Sequence, residues 1–268
     1  MLYVHTFISF FTVFLFSNLS ISYSQGFDWY YSNRLPFSTP NLFIGGNIEG
    51  QLISYNADLP IKRYFNTNEL ECCRYNDGKG SGLKFGVNVE YWYETFQSIN
   101  VSLNFQSLPL NFKKLAAPIP LSNGDNLITE YDYQSNLSLI NLDIGWKYKI
   151  VESHFFINPS VDINYFLDRS KGLHTERIIS PDYETFSDGS LIKNLDDVIL
   201  PKINSLNYNF NLKAGYDYSP AIGIYLSPYL GYTFSLSNYL DEVSKNGRNQ
   251  SLGYTGFLFG LRSMISLN

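Results

Sequence analysis

The sequence predicts an all-β fold: an eight-stranded antiparallel up-and-down transmembrane β-barrel, with short periplasmic turns and long extracellular loops. Three observations predict it. Eight segments alternate apolar and polar side chains, the connections between them are alternately short and long, and an apolar leader opens the chain. Successive side chains of a strand point to opposite faces, so a period of two implies strands with one apolar and one polar side.

The leader comes first. Residues 6–21 are apolar and nearly uncharged, and Ser22 and Ser24 occupy the small-residue positions of a cleavage site. The segment reads as a signal peptide, 1–24, cut before Gln25. Its n-region holds His5 and no Lys or Arg, so an uncleaved anchor is the alternative. No Cys stands at the cleavage point, which argues against a lipoprotein. Residues 25–40 read as a flexible lead-in and 41–268 as the barrel domain.

The predicted strands follow in order. In 42–53, Leu42, Ile44, Ile48 and Leu52 oppose Asn47, Glu49 and Gln51. In 83–95, Leu83, Phe85, Val87, Val89 and Tyr91 oppose Lys84, Asn88 and Glu90. Segments 99–107, 140–150 and 155–167 repeat the pattern, the second with Ile140, Leu142, Ile144 and Trp146 against Asn141, Asp143 and Lys147. Segment 205–218 is the cleanest, with Leu206, Tyr208, Phe210 and Leu212 against Asn207, Asn209, Asn211 and Lys213. Segments 222–236 and 252–267 complete the set.

Short connections are predicted near Gln97-Ser98, Val151-Glu152 and Ser219-Pro220-Ala221. Long polar loops are predicted over 55–82, 107–134, 168–204 and 237–250. With the N-terminus inside, every short turn falls on the periplasmic side, the asymmetry of transmembrane barrels.

A period of two does not say which face points inward, and a secreted lipocalin-like ligand-binding barrel has its apolar face inside. Lipid contact is favoured by Gly45, Gly86, Gly145, Gly215, Gly223, Gly231 and Gly260 on the polar face, where a narrow lumen needs room. It is favoured also by aromatics beside the short turns, including Tyr91, Tyr93, Trp146, Tyr148, Phe155, Tyr216 and Tyr218, as in an interfacial girdle. Composition agrees. Only 16% of residues are charged, against roughly 25% in soluble proteins. A net charge of -5 argues against a nucleic-acid partner.

On the signal peptide, strand pattern and loop asymmetry, residues 41–267 resemble the small bacterial outer-membrane barrels, the OmpA/OmpX-type and PorT-like barrel domains. The resemblance implies integral residence in a Gram-negative outer membrane. It implies contact with outer-membrane lipid, with the barrel-assembly machinery and periplasmic chaperones during biogenesis, and with a surface or envelope protein through the long loops. Two departures stand out. The chain ends Ile265-Ser266-Leu267-Asn268 rather than in an aromatic, and no peptidoglycan-binding domain follows the barrel.

Chemistry-bearing residues are few. An inward polar face would bring Glu49, Glu90, Asp143 and Asp162 together with Lys84, Lys147, Lys213 and Arg262, either as a salt-bridged plug or as a gated pore. Cys72 and Cys73 are the only cysteines, open to a vicinal disulfide or to reduced or intermolecular thiols. The glycine-rich 75–82 stretch lacks the order of a calcium or phosphate loop and reads as a flexible turn. No catalytic residue, cofactor or metal ligand is predicted. The enzymatic alternative, an outer-membrane lipid-A hydrolase or protease, would have to be seeded by His174, placed in the third loop near Asp168, Asp182 and Glu184. The favoured role is structural or surface-interacting, with a closed polar lumen.

Overall fold

The computed structural model describes residues 42–65, 68–94, 96–150, 153–168, 171–199, 203–221, 223–240 and 250–267; of 61–65, 68–72, 168, 171 and 196–199 only the backbone is described. The predicted signal peptide, the lead-in and the side chains of Cys72 and Asp168 therefore lie outside the described residues.

Twelve strands are present among them: β1 (Leu42–Phe65), β2 (Asn68–Glu94), β3 (Gln97–Leu115), β4 (Ile119–Pro120), β5 (Asn126–Lys149), β6 (Phe155–Asp168), β7 (Lys171–Ser180), β8 (Ile192–Ile199), β9 (Leu206–Tyr216), β10 (Tyr218–Ala221), β11 (Ile224–Ser235) and β12 (Ser251–Leu267). Eight of them, β1, β2, β3, β5, β6, β9, β11 and β12, pair antiparallel in that order. The ring closes where Ile48 of β1 faces Leu261 of β12. On the far side, Val101 of β3 faces Ile144 of β5. This is the predicted eight-strand barrel.

The two faces are distributed as lipid contact requires. Leu103, Phe85, Ile144, Leu212, Leu230 and Phe259 point outward and are exposed, while the alternate residues are buried within. A lipocalin-like barrel, with its apolar side inward, is excluded by this placement. Near the short turns, Trp146 Nε1 donates to Tyr93 Oη at 2.8 Å, and the Phe155 and Tyr216 rings meet edge-on. The predicted aromatic rim thus contains two contact groups on the outer face, one at Tyr93, Trp146 and Tyr148 and one at Phe155 and Tyr216.

The long connections differ from the prediction. Residues 55–65 and 68–82 continue β1 and β2, and 107–115 and 126–134 continue β3 and β5. Along these extensions the alternation persists in the opposite sense. On β3, Leu103 and Phe105 are exposed outside, whereas Leu108, Leu110 and Phe112 are buried inside. Beyond the lipid the outer face meets water, so polar side chains turn outward and apolar ones inward, as in a soluble barrel. The wall changes as well: β6 pairs with the lower half of β5, and β7 pairs with its upper half. The predicted loop 168–204 therefore contains the hairpin β7–β8.

The 75–82 stretch is corrected in the same way, from flexible turn to strand. Its glycines admit interior rings: a Cβ on Gly78 would lie 2.5 Å from the ring of Phe112.

Candidate functional site

Two regions concentrate polar chemistry, the lumen within the membrane span and the β-extension above it. In the lumen, the alternate residues of all eight strands converge. Inward positions on β1, β2, β5, β6, β9 and β12 bring Glu49, Lys84, Asp143, Asp162, Lys213 and Arg262 into one layer. Lys84 Nζ lies 3.2 Å from Glu49 Oε1 and 3.3 Å from Asp162 Oδ2. Lys213 pairs with Asp143 and approaches Glu49 Oε2 at 4.0 Å. Tyr229 Oη donates to Glu49 Oε2 at 2.8 Å, and Gln51 Nε2 donates to Oε1 at 2.9 Å. Arg262 makes no ion pair among the described residues. Its Nη2 donates to Asn158 Oδ1 at 3.2 Å, and the guanidinium lies 5.2 Å from the centre of the Tyr229 ring.

Glu90 and Lys147 form a separate layer nearer the short turns. Lys147 Nζ sits 3.2 Å from Glu90 Oε1 and 2.8 Å from Asp217 Oδ2. Ser98 donates to Glu90 and Ser227 to Asp217. Asp217, between β9 and β10, and Lys149, on β5, are not in the predicted network, although both are buried and share the polar parity of the segments predicted over 205–218 and 140–150. The two layers together bury five carboxylates (Glu49, Glu90, Asp143, Asp162, Asp217) and five cations (Lys84, Lys147, Lys149, Lys213, Arg262). Charge therefore balances within these two layers, as burial in low dielectric demands.

Neutral amides fill the remaining interior. Asn47 donates to Asn104, Asn104 to Asn141, and Asn141 to Asn164, a chain across β1, β3, β5 and β6. Glycine provides the space. A Cβ on Gly260 would meet the Tyr229 ring at 2.4 Å, and one on Gly145 would meet Asn100 Oδ1 at 2.7 Å. Gly223 has a different role from the one predicted. It lies at φ +75° in the turn before β11, where an L side chain is strained.

Both ends of this polar column are covered. At the end beside the short turns Phe43, Trp92, Tyr225 and Met264 pack together, leaving a cavity of only about 10 Å³ beside Glu90, Lys147 and Asp217. That volume is about one water molecule. At the outer end lies a larger apolar core with Tyr55, Leu110, Phe112, Leu139, Tyr239 and Tyr254 at its centre.

Above that core, the structure moves His174 from a solvated loop to the interior. It lies on β7, fully buried, with Tyr75 Oη 3.2 Å from Nδ1 and Cys73 Sγ 3.9 Å from Nε2. Glu176 Oε1 is 3.5 Å from the same Nε2, and the Tyr131 ring packs alongside. Asp182 and Glu184, the carboxylates predicted near His174, belong instead to the connection between β7 and β8. Among the described residues, no group of three or more His, Cys, Asp or Glu side chains is placed to hold a metal ion.

The outermost polar cluster joins two hairpin tips. Tyr183 Oη donates to Asp125, and Asn123 Nδ2 donates to both, at 3.2 Å in the case of Asp125. The bond to Asp125 holds the Tyr183 phenol above its ordinary pKa. Asp188 accepts from the Ser190 hydroxyl and backbone N–H, which hold its carboxyl below the usual range.

Comparison with known proteins places this architecture. A family model described as outer membrane protein beta-barrel domain matches residues 53–241. No curated protein matches the chain. Among solved structures, the outer membrane protease OmpT from Escherichia coli aligns at 9% identity and TM-score 0.36, covering 87% of this chain and 99% of that one. Ail, the attachment invasion locus protein of Yersinia pestis, aligns at 8% identity and TM-score 0.30, covering 85% and 100%. OprG from Pseudomonas aeruginosa aligns at 10% identity and TM-score 0.31, covering 85% and 97%.

Proposed function

The chain belongs to the outer membrane protein beta-barrel domain family, and from that premise we propose that it is a sealed, non-enzymatic barrel of the outer membrane whose work is done by its outer surface. The observation that carries this reading is the capped lumen. A charge-balanced polar column stands between an aromatic base at Phe43 and Trp92 and an apolar core at Leu110 and Phe112. Solute would have to displace both seals and separate buried ion pairs, each step costing several kcal/mol.

The extended outer tier supports a surface role. Rigid scaffolds present binding residues at their loop tips, and here the scaffold itself continues past the lipid as paired strands. The enclosure of His174 by Tyr75, Tyr131, Cys73 and Glu176 supports a packing role for it rather than a hydrolytic one. Export would follow from cleavage before Gln25, and intact-mass measurement of the purified protein reads that directly.

Planar-bilayer recording tests the seal, and an epitope inserted after Gly189 tests the orientation. The proposal expects no stable conductance steps and detection of the epitope on intact cells. Sustained openings, or an epitope reached only after permeabilisation, would overturn it.

A further inference from the structure

Among the described residues beside the short turns, Glu94 is the one exposed acid, and it stands in the aromatic group of β2, β3 and β5. A break in strand register puts it there. β2 and β3 pair Trp92 with Ser98 and then Glu94 with Gln97, so Tyr93 is the extra residue of a bulge. Trp92 stays buried, while Tyr93 and Glu94, though consecutive, are both exposed. A bulge re-aims side chains in this way and recurs where a strand serves a site.

Gln97 fixes the group. It pairs with Glu94 of β2 on one side and Tyr148 of β5 on the other. Its Nε2 donates to Glu94 Oε2 at 2.7 Å. Its Oε1 accepts from Tyr93 Oη at 2.8 Å and from Trp146 Nε1 at 3.2 Å. The Tyr148 ring packs against Trp146, with centroids 5.9 Å apart. The carboxylate is therefore held one side chain away from two exposed rings, at the level where an aromatic belt meets lipid headgroups.

Its charge has no counterpart in the protein. Glu94 makes no ion pair among the described residues, and the nearby cations of β5, Lys147 and Lys149, are buried inside. What the group presents outward is a carboxylate, which only accepts hydrogen bonds, and ring faces, which attract cations. A primary ammonium satisfies both, because it donates to the carboxylate and lies against a ring. A trimethylammonium has the charge but no N–H to donate, and an anionic headgroup is repelled.

We propose that this group binds the headgroup of a phospholipid bearing a primary ammonium, phosphatidylethanolamine, one lipid at a fixed place on the rim. The site requires only the membrane barrel. It is independent of the surface role and of the orientation, so an epitope result that removed those would leave it standing.

The test places the full chain in nanodiscs made of equal parts phosphatidylethanolamine, phosphatidylcholine and phosphatidylglycerol with identical acyl chains. Native mass spectrometry of the released protein reads which lipids it retains. Phosphatidylethanolamine is expected at least about threefold more often than either of the others, the gain of an exposed ion pair. The excess should amount to one lipid per chain. Glu94→Gln keeps an acceptor for Gln97 and removes only the charge, so it should abolish the excess. Asp77→Asn, at an exposed carboxylate of the outer tier, should leave it unchanged. A heat-shifted band on a gel shows that each variant retains the barrel.

Equal retention of phosphatidylcholine would reduce the contact to ring faces and overturn the proposal. So would an excess of phosphatidylglycerol, an excess that survives Glu94→Gln, or one that falls equally with Asp77→Asn.

Discussion

Gln106 and Leu108 lie two residues apart on the inner face of β3, yet Gln106 belongs to the polar lumen and Leu108 to the apolar core above it. Gln106 Nε2 donates to Gln51 at 2.7 Å, while Leu108 packs within the cluster that contains Tyr55 and Phe112. The inversion of side-chain sense falls between them. It marks the level at which the outside of the barrel passes from hydrocarbon to water.

The outer core should be separable from the barrel beneath it. Phe112→Ala removes a fully buried ring that contacts Tyr55 and Tyr75, and such truncations cost about 3–5 kcal/mol. Limited proteolysis should then cut the β1–β2 and β3–β5 extensions faster, while the heat-shifted band on a gel stays. Loss of that band would show instead that the two tiers fold as one unit.

Lys84 is the shared cation of Glu49 and Asp162. Lys84→Met should destabilise the barrel by about 3–5 kcal/mol, because buried Asp162 loses its cation and Glu49 keeps only Lys213, at 4.0 Å. Adding Glu49→Gln to Lys84→Met should recover part of that loss. Urea unfolding of vesicle-embedded protein provides the cycle, and strictly additive effects would contradict the pairing.

Gly260 and Tyr229 test the packing of the lumen. A side chain at 260 would collide with the Tyr229 ring at 2.4 Å, so Gly260→Val should cost about 1–3 kcal/mol or more. Tyr229→Ala combined with Gly260→Val should restore part of the stability, measured by the same unfolding midpoint. No rescue would mean that the strand backbone, not the ring, sets the cost.

The Asp188 turn should respond to acid. Its carboxyl titrates below the ordinary value because Ser190 donates to it twice. A folded-state pKa below the unfolded one gives stabilisation that is present above the unfolded pKa. It is lost as pH falls through the folded value. Exchange of the Ser190 amide should accelerate on that acid limb, and Ser190→Ala should move the transition to higher pH. Exchange that ignores Asp188→Ala, which removes the acceptor, would rule out the bond.

The membrane part of this fold was legible because one face of each strand meets a uniform solvent. Ile99, Val101, Leu103 and Phe105 repeat at a strict period of two for that reason. The outer tier was not legible by the same rule, since the apolar side there changes parity. Adjacent apolar residues mark the switch: Leu52 is exposed beside buried Ile53, and Ile140 is exposed beside buried Leu139. A bulge between Asn56 and Leu59 disturbs the period further. The eight predicted lumen charges followed from parity alone, whereas their division into two layers depends on strand stagger, which no single segment encodes. His174 was misplaced because its neighbours Cys73, Tyr75 and Tyr131 come from strands read as loops.

The depth of β3 tests the central claim most directly. Leu103 and Asn111 face outward on the same strand, eight residues apart, on opposite sides of the inversion. With Trp29, Trp92 and Trp146 replaced by Phe, a single Trp is placed at 103 or at 111 and quenched with lipids brominated along their chains. The barrel described above predicts strong quenching at 103 and little at 111. Equal quenching at both positions, or none at either, would contradict it.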